Sequence, residues 1–119
     1  MSRPTIALPS LAAAMTEDEL LAGITGALAS GGWLYQHVRR SDLAVLMGHV
    51  GFPDIVAVHQ ERGLFAMFEL KTATGRVELW QQRWLDALAA AGIDARVVRP
   101  ADYDALLPWI LGDRGRVRA

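Results

Sequence analysis

Residues 51–71 have the sequence GFPDIVAVHQERGLFAMFELK, which contains two runs rich in valine, isoleucine and phenylalanine. The runs, residues 54–59 and 64–71, are separated by Gln60-Glu61-Arg62-Gly63, a short polar connection that ends in glycine. Apolar runs with β-branched and aromatic residues on both sides of such a connection are typical of a β-hairpin. We therefore predict two antiparallel strands in this segment.

The second strand ends in two charged residues that share one face. Successive side chains of a strand point to opposite faces, so Glu69 and Lys71 lie on the same side and Leu70 on the other. Asp54 begins the first strand directly after Pro53, and hairpin pairing brings that start beside the end of the second strand. We expect Asp54, Glu69 and Lys71 to meet at one edge of the sheet. Considered without Asp54, a strand that leaves the core and becomes solvated explains the two charges equally well.

Two carboxylates held close together repel each other unless a cation lies between them. Carboxylate oxygens are hard ligands, which suit Mg²⁺ or Mn²⁺. A divalent metal is therefore the expected third component of a site formed by Asp54 and Glu69.

The flanking sequence predicts five further elements. A helix begins after the N-cap Thr16 and runs to about Ala29, where two glycines end it, and a strand follows at residues 33–38. After the hairpin, a helix over residues 78–91, a strand at 95–98 and a helix over 100–111 complete the order α-β-β-β-α-β-α. A hairpin followed by a helical crossover implies an α/β fold, with a mixed sheet and helices packed on it.

Composition limits the class of protein. The 119 residues include 52% hydrophobic residues, no cysteine and a formal net charge of −1. These values exclude a disulfide scaffold and a thiol nucleophile, and they argue against a generally polybasic nucleic-acid binder. No apolar stretch approaches the roughly 18 residues of a membrane span, so we expect a cytoplasmic protein without a membrane partner. Eleven of the twelve basic residues are arginine, and Lys71 is the only lysine.

We predict one domain over residues 16–111. A loosely ordered leader over residues 1–15 precedes it, and a basic tail over residues 112–119 follows it.

The motif residues carry a resemblance to a known family. Gly51-Phe52-Pro53-Asp54, followed after a hydrophobic strand by Glu69-Leu70-Lys71, resembles the Pro-Asp…(Asp/Glu)-x-Lys signature of the restriction-endonuclease-like nucleases. Within that superfamily the chain is most similar to the small VRR-NUC domains, phage-type nucleases related to Holliday-junction resolvases. The similarity covers about residues 16–111. A Glu-x-Lys motif alone is common by chance, whereas the ordered combination is specific.

This resemblance implies a restriction-endonuclease-like fold and a metal-dependent DNA endonuclease that hydrolyses phosphodiester bonds, with branched DNA as a possible selective substrate. It implies that Asp54, Glu69 and the backbone carbonyl of Leu70 hold Mg²⁺ or Mn²⁺. Lys71 would orient or deprotonate the attacking water, or steady the charge on the phosphate. The implied partners are DNA and a second copy of the chain, with no organic cofactor. A non-catalytic DNA-binding or assembly protein that keeps the fold is the alternative.

The family also places a glutamate on its first helix. Helical spacing puts Glu17 over the inward stripe that contains Leu20 and Ile24, so Glu17 is the predicted additional metal ligand. Glu19 is better suited to a capping box with Thr16. A solvated first turn remains the alternative for both glutamates.

A glutamine on the helix after the Glu-x-Lys strand is a further family feature. Gln81 shares a face with Trp84 and Leu85, and we predict that it positions water or phosphate. Gln82 faces a more polar side, and exposed helix decoration is the alternative for both glutamines.

We predict DNA contacts at Arg39, Arg40, Arg76 and Arg83, against the alternative of dispersed solubilising charge. The three histidines have no metal-ligand spacing; we expect His37 to approach the phosphate and His59 to be structural.

Overall fold

The computed structural model describes residues 14–38 and 48–112 of the chain, and its elements follow the predicted order. Most of the predicted leader, the arginines Arg39 and Arg40, and the predicted tail after Gly112 lie outside the described residues. The helices are α1 (Glu17–Ser30), α2 (Leu79–Ala90) and α3 (Tyr103–Leu111), and a short 3₁₀ turn at Pro100–Asp102 precedes α3. The strands are β1 (Leu34–His37), β2 (Ile55–His59), β3 (Leu64–Leu70) and β4 (Asp94–Val98).

The four strands form one mixed sheet in the order β1-β2-β3-β4. The first two pairings are antiparallel, and β3 pairs in parallel with β4 after the crossover through α2. Gly63 closes the β2–β3 hairpin with φ 63°, a left-handed conformation that glycine adopts without strain. The predicted hairpin and the predicted mixed α/β fold are confirmed.

Helices cover both faces of the sheet. On one face, Ile55, Phe68 and Leu70 pack against α1 and α3 in the main hydrophobic core. The alternate residues of β3 point to the other face. Helix α2 lies on that face, as the contact of its Gln81 with Glu69 shows. The sheet is therefore the central layer, and Glu69 lies on its α2 face.

The start of α1 has the predicted capping box. The Thr16 hydroxyl accepts a hydrogen bond from the Glu19 N–H, and Glu19 Oε1 accepts one from the Thr16 N–H, both at 3.1 Å. These two bonds satisfy donors that every helix N-terminus otherwise leaves open. Glu19 is thus committed to the cap.

The end of the sheet at the β2–β3 turn holds a group that we call the hairpin-end cluster: Trp33, His59, Arg62 and Trp109. His59 is buried; its Nδ1 accepts from the Arg62 N–H at 3.1 Å, so its Nε2 carries the hydrogen that bonds to Gly31 O at 2.9 Å. Trp33 donates from Nε1 to Ile110 O at 2.7 Å. The cluster fixes α1, the hairpin and α3 together, and His59 is structural as predicted.

No helix within residues 14–38 and 48–112 is long and apolar enough to cross a bilayer.

Candidate active site

The opposite end of the hairpin, which we call the site end, contains Asp54, Glu69, Leu70 and Lys71. Ile55 and Phe68 are the last pair of β2 and β3 at this end, so Asp54 and Glu69 each lie one residue beyond that pair. Oδ2 of Asp54 accepts a hydrogen bond from the Leu70 N–H at 2.7 Å. The Asp54 carbonyl accepts another from the Val38 N–H at 2.7 Å. Asp54 is therefore fixed between the ends of β1 and β3.

Glu69 lies inside the protein on the α2 face, where only 2% of its surface is exposed. Its Oε1 accepts a hydrogen bond from Gln81 Nε2 at 3.1 Å, and Gln81 is equally buried. The side-chain oxygen of Gln81 accepts in turn from the Glu78 N–H at 2.9 Å, at the start of α2. A buried carboxylate needs such donors, because removing its charge from water is costly. The α2 N-terminus thus sets the orientation of Glu69.

Gly51 explains how α2 reaches this position. Its φ is +96°, and a Cβ at this position would lie 2.5 Å from the backbone oxygen of Trp80. Only glycine permits this approach between the turn before Asp54 and the first turn of α2. Phe52 stacks edge-on against Trp84 at 5.0 Å and reinforces the same contact. The segment that carries Asp54 is thereby packed against the helix that carries Gln81.

Asp54 and Glu69 have the donor chemistry of a hard-cation site. Both carboxylates are buried, at 9% and 2% exposure, and each belongs to the residue one step beyond the Ile55–Phe68 pair that ends the β2–β3 pairing. Carboxylate and carbonyl oxygens are the ligands that Mg²⁺ and Mn²⁺ prefer, and Mg²⁺ usually retains several waters. Among residues 14–38 and 48–112, no group of three histidine, aspartate or glutamate side chains could hold a metal. The residues therefore fit a cation held by two carboxylates, a backbone carbonyl and water.

Glu17 and Asp54 line the same cavity, but they do not form a cluster of metal-ligand side chains. The cavity has a volume of about 240 Å³ and is lined by Glu17, Asp18, Leu21, His37, Val38, Asp54 and Leu70. Glu17 is exposed at its rim, whereas Glu19 is bound to Thr16. The structure thus distinguishes the two glutamates considered as additional metal ligands: Glu17 lines the cavity, and Glu19 caps α1. His37 lines the same cavity.

Lys71 follows directly after β3 and is half-buried. Its backbone N–H donates to Val98 O at 3.0 Å, which continues the β3–β4 pairing for one residue. Because side chains alternate along an extended strand, Lys71 leaves the sheet on the same face as Glu69. The three motif residues therefore come from one end of the β2–β3 pair.

The predicted glutamines and arginines lie in different parts of the structure. Gln82 is exposed and donates from Nε2 to Asp86 Oδ1 at 2.7 Å, so it belongs to the solvent face of α2. Arg76 is exposed after the turn that follows Lys71. Arg83 lines a different cavity, of about 180 Å³, with His49, Trp84 and Ala87. The structure describes two of the arginines predicted to contact DNA, Arg76 and Arg83. Arg76 is the closer of the two to the motif in sequence.

Two contacts at the site were missed by sequence reasoning. Gln81 was assigned to water or phosphate, whereas its amide bonds to Glu69. Arg99 was assigned no role, yet its Nη1 donates to Thr72 O and Gly75 O, both at 2.8 Å. No local pattern marks Arg99, because it reaches the turn after Lys71 only through the parallel pairing of β3 with β4.

Comparison with known proteins identifies the family. The family model of the VRR-NUC domain matches residues 30–102, more than half of the chain. A solved structure described as a VRR-NUC domain superposes with a TM-score of 0.61 at 18% identity, covering 76% of this chain and 92% of that chain. The curated protein sequences contain no match. The fold is that of a nuclease domain. The chain belongs to the VRR-NUC domain family.

Proposed function

We propose that this protein is a metal-dependent DNA endonuclease that hydrolyses phosphodiester bonds. The observation that carries the proposal is the pair of buried carboxylates at one end of the hairpin, with Asp54 bonded to the backbone beside Glu69. Family membership supports the nuclease class, and the donor set supports the use of a hard divalent cation.

Asp54, Glu69 and the carbonyl of Leu70 would hold Mg²⁺ or Mn²⁺. When bound, the ion would lower the pKa of a water molecule and polarise a phosphoryl oxygen. Gln81 holds the Glu69 carboxylate in one orientation through its amide. Glu17, across the cavity from Asp54, would add a ligand through water or on closer approach.

Lys71 is proposed to act on the attacking water or on the charge of the phosphate. A lysine ammonium is a compact charge on a flexible stem and can give up its proton, whereas an arginine guanidinium stays protonated. Lysine at this single position, in a chain that otherwise uses arginine, is consistent with that chemistry.

The substrate is proposed to be DNA, with branched junctions as the preferred form. Arg76 would contact the phosphate backbone next to the site, and Arg83 would contact more distant phosphates. Arg39 and Arg40, which lie outside the described residues, are proposed to contact phosphates as well. A chain with a net charge of −1 offers few such contacts, so binding should be local and weakened by salt.

A second copy of the chain is the proposed partner. Leu34 pairs with Val58 and Val58 with Phe65, so the three side chains form a row across one face of the sheet. They are 73%, 39% and 40% exposed, although all are apolar. An exposed apolar row on three strands is a typical contact surface between subunits. Val58→Glu should convert a dimer to a monomer in analytical ultracentrifugation, and Val50→Glu, at an exposed valine outside the row, should not. A wild-type monomer would remove this part of the proposal.

Cleavage of defined DNA tests the proposed activity. Wild type and Asp54→Asn are compared on linear, flapped and four-way-junction DNA with Mg²⁺, Mn²⁺ or EDTA, and Asp104→Asn, at an exposed aspartate of α3, is the control. We expect Asp54→Asn to lose about 100-fold to 1000-fold in rate and the control to match wild type. Cleavage in EDTA, or an Asp54→Asn variant as active as wild type, would contradict the proposal. DNA binding without cleavage would favour the non-catalytic alternative.

A further inference from the structure

The turn after β3 lies against the side chain of Lys71. The Gly75 N–H donates to Thr72 O at 3.3 Å, which closes the chain into a tight turn. A Cβ added to Gly75 would lie 3.6 Å from Cδ of Lys71 and 2.9 Å from the Thr72 hydroxyl oxygen. The aliphatic stem of the lysine therefore lies beside Gly75 of this turn.

Arg99 holds the same turn from the neighbouring strand. One nitrogen of its guanidinium, Nη1, donates to both Thr72 O and Gly75 O at 2.8 Å. These carbonyls belong to the first and last residues of the turn. Hydrogen bonds from a charged donor are shorter and stronger than those between neutral groups. A single side chain thus ties down both ends of the segment that packs on Lys71.

Arg99 is itself held at its backbone. It follows the last residue of β4, Val98, whose carbonyl accepts from the Lys71 N–H at 3.0 Å. Its own N–H donates to Asp102 Oδ2 at 2.8 Å at the start of the 3₁₀ turn. The guanidinium therefore projects from a backbone that is fixed to the strand pair on one side and to the following helical turn on the other.

We propose that Arg99 is a positioning residue for Lys71: it holds the Thr72–Gly75 turn against the lysine stem and so restricts where the ammonium can lie. The inference rests on the proposed function only for the chemical role of Lys71. A free lysine side chain has four rotatable bonds, and a reacting group is effective only when it is held near its target. Packing by the turn supplies that restriction, and Arg99 supplies the rigidity of the turn.

Lys71 can be observed directly, because it is the only lysine in the chain. Reductive methylation of the full-length protein with ¹³C-formaldehyde labels its ammonium and the α-amino group, and the ¹³C shifts of the two differ. The Lys71 methyl resonance is compared in wild type, Arg99→Ala, Arg99→Gln, Arg99→Lys and Arg96→Ala, each without metal and each also unfolded in urea. Arg96→Ala is the matched control, because it removes an arginine of β4 whose hydrogen bonds go to Asp94.

We expect the Lys71 resonance of Arg99→Ala and Arg99→Gln to narrow and to move more than half of the way to its unfolded position. Arg99→Lys keeps a charged donor on a shorter side chain. Its Lys71 resonance should lie between those of these two variants and that of wild type. Arg96→Ala should match wild type. If Arg99→Ala fails to fold, the Arg99→Gln and Arg99→Lys spectra decide the question.

Cleavage by unmethylated protein provides the second measurement. Loss of the restriction should lower kcat by about 10-fold to 100-fold, as for a misplaced reacting group. KM for DNA and the half-saturating Mn²⁺ concentration should stay within a factor of about two of wild type, because the carboxylates are unchanged. Arg99→Lys should recover part of kcat.

Lys71 resonances that coincide in all variants would overturn the inference, whether or not cleavage falls. A fall expressed mainly in KM would also overturn it, since Arg99 would then be a substrate contact. If wild type cleaves no DNA, the proposed function fails, while the resonance comparison still decides whether Arg99 positions Lys71.

Discussion

The β2–β3 hairpin buries polar side chains at both of its ends, and the two ends differ in what they bury. At the hairpin-end cluster the buried group is the neutral imidazole of His59, with one nitrogen bonded to Gly31 O and the other to the Arg62 N–H. At the site end the buried groups are two carboxylates, Asp54 and Glu69, each one residue beyond the last pair of β2 and β3. Burying a neutral group with both nitrogens bonded costs little, whereas burying a carboxylate removes a charge from water and is costly.

The two ends of the hairpin therefore have different roles: the hairpin-end cluster stabilises the fold, and the site end is proposed to carry the chemistry. The hairpin-end cluster joins three elements of the chain, including α3 through the bond from Trp33 Nε1 to Ile110 O. At the site end, Asp54 accepts a hydrogen bond from the Leu70 N–H, and Glu69 accepts one from Gln81 Nε2. We expect substitutions at the first end to change the free energy of unfolding and substitutions at the second end to change the rate of DNA cleavage.

Glu69→Gln should have the largest effect. The variant keeps the shape and one hydrogen-bond acceptor but removes the charge that would hold the cation, so cleavage should fall by about 100-fold to 1000-fold. The free energy of unfolding should stay equal or rise, because a buried charge is removed. Glu61→Gln, at the exposed turn of the same hairpin, is the control and should retain full activity. Normal cleavage by Glu69→Gln would abolish the proposed contrast.

His59→Ala should have the next largest effect, and on stability. It leaves the Gly31 carbonyl and the Arg62 N–H without their partner, and it removes an edge contact with Trp33. The free energy of unfolding in urea should fall by about 2 kcal/mol or more. His49→Ala, at an exposed histidine, should change it little. A loss of kcat in His59→Ala that exceeds the loss of folded protein would break the separation of the two ends.

Gln81→Leu should have a smaller effect, on activity. It removes the amide that orients Glu69, and loss of such a supporting group typically costs about 10-fold to 100-fold in activity. Gln82→Leu, one residue further along α2 and on the solvent face, should leave cleavage unchanged. Equal rates for the two glutamine variants would remove the role assigned to the Glu69 contact.

Local pattern was sufficient for the hairpin and for the helix caps. The turn at Gly63 and the capping box of Thr16 and Glu19 depend on residues close together in sequence, and both appear in the structure. The register that brings Asp54 and Glu69 to the same end of the hairpin follows from the short turn, since a four-residue connection leaves few alternative pairings.

Contacts between distant segments were beyond such patterns. The bonds from Arg99 to the turn after Lys71 depend on the parallel pairing of β3 and β4, which the whole of α2 separates in sequence. The bond between Gln81 and Glu69 depends on how far α2 is drawn toward the sheet by the close approach of Gly51 to Trp80. A side chain's partner is set by packing in these cases, and the same residue types at the same spacing would suit other partners equally well.

The central claim is that Asp54 and Glu69 hold a divalent cation, and thermal unfolding in the presence of Mn²⁺ tests it most directly. A ligand that binds only the folded state raises its stability as the ligand concentration rises above Kd. We predict that the unfolding midpoint of wild type rises progressively with Mn²⁺ relative to EDTA, while those of Asp54→Asn and Glu69→Gln stay constant. A wild-type midpoint that is independent of Mn²⁺, or an equal rise in the variants, would contradict the account.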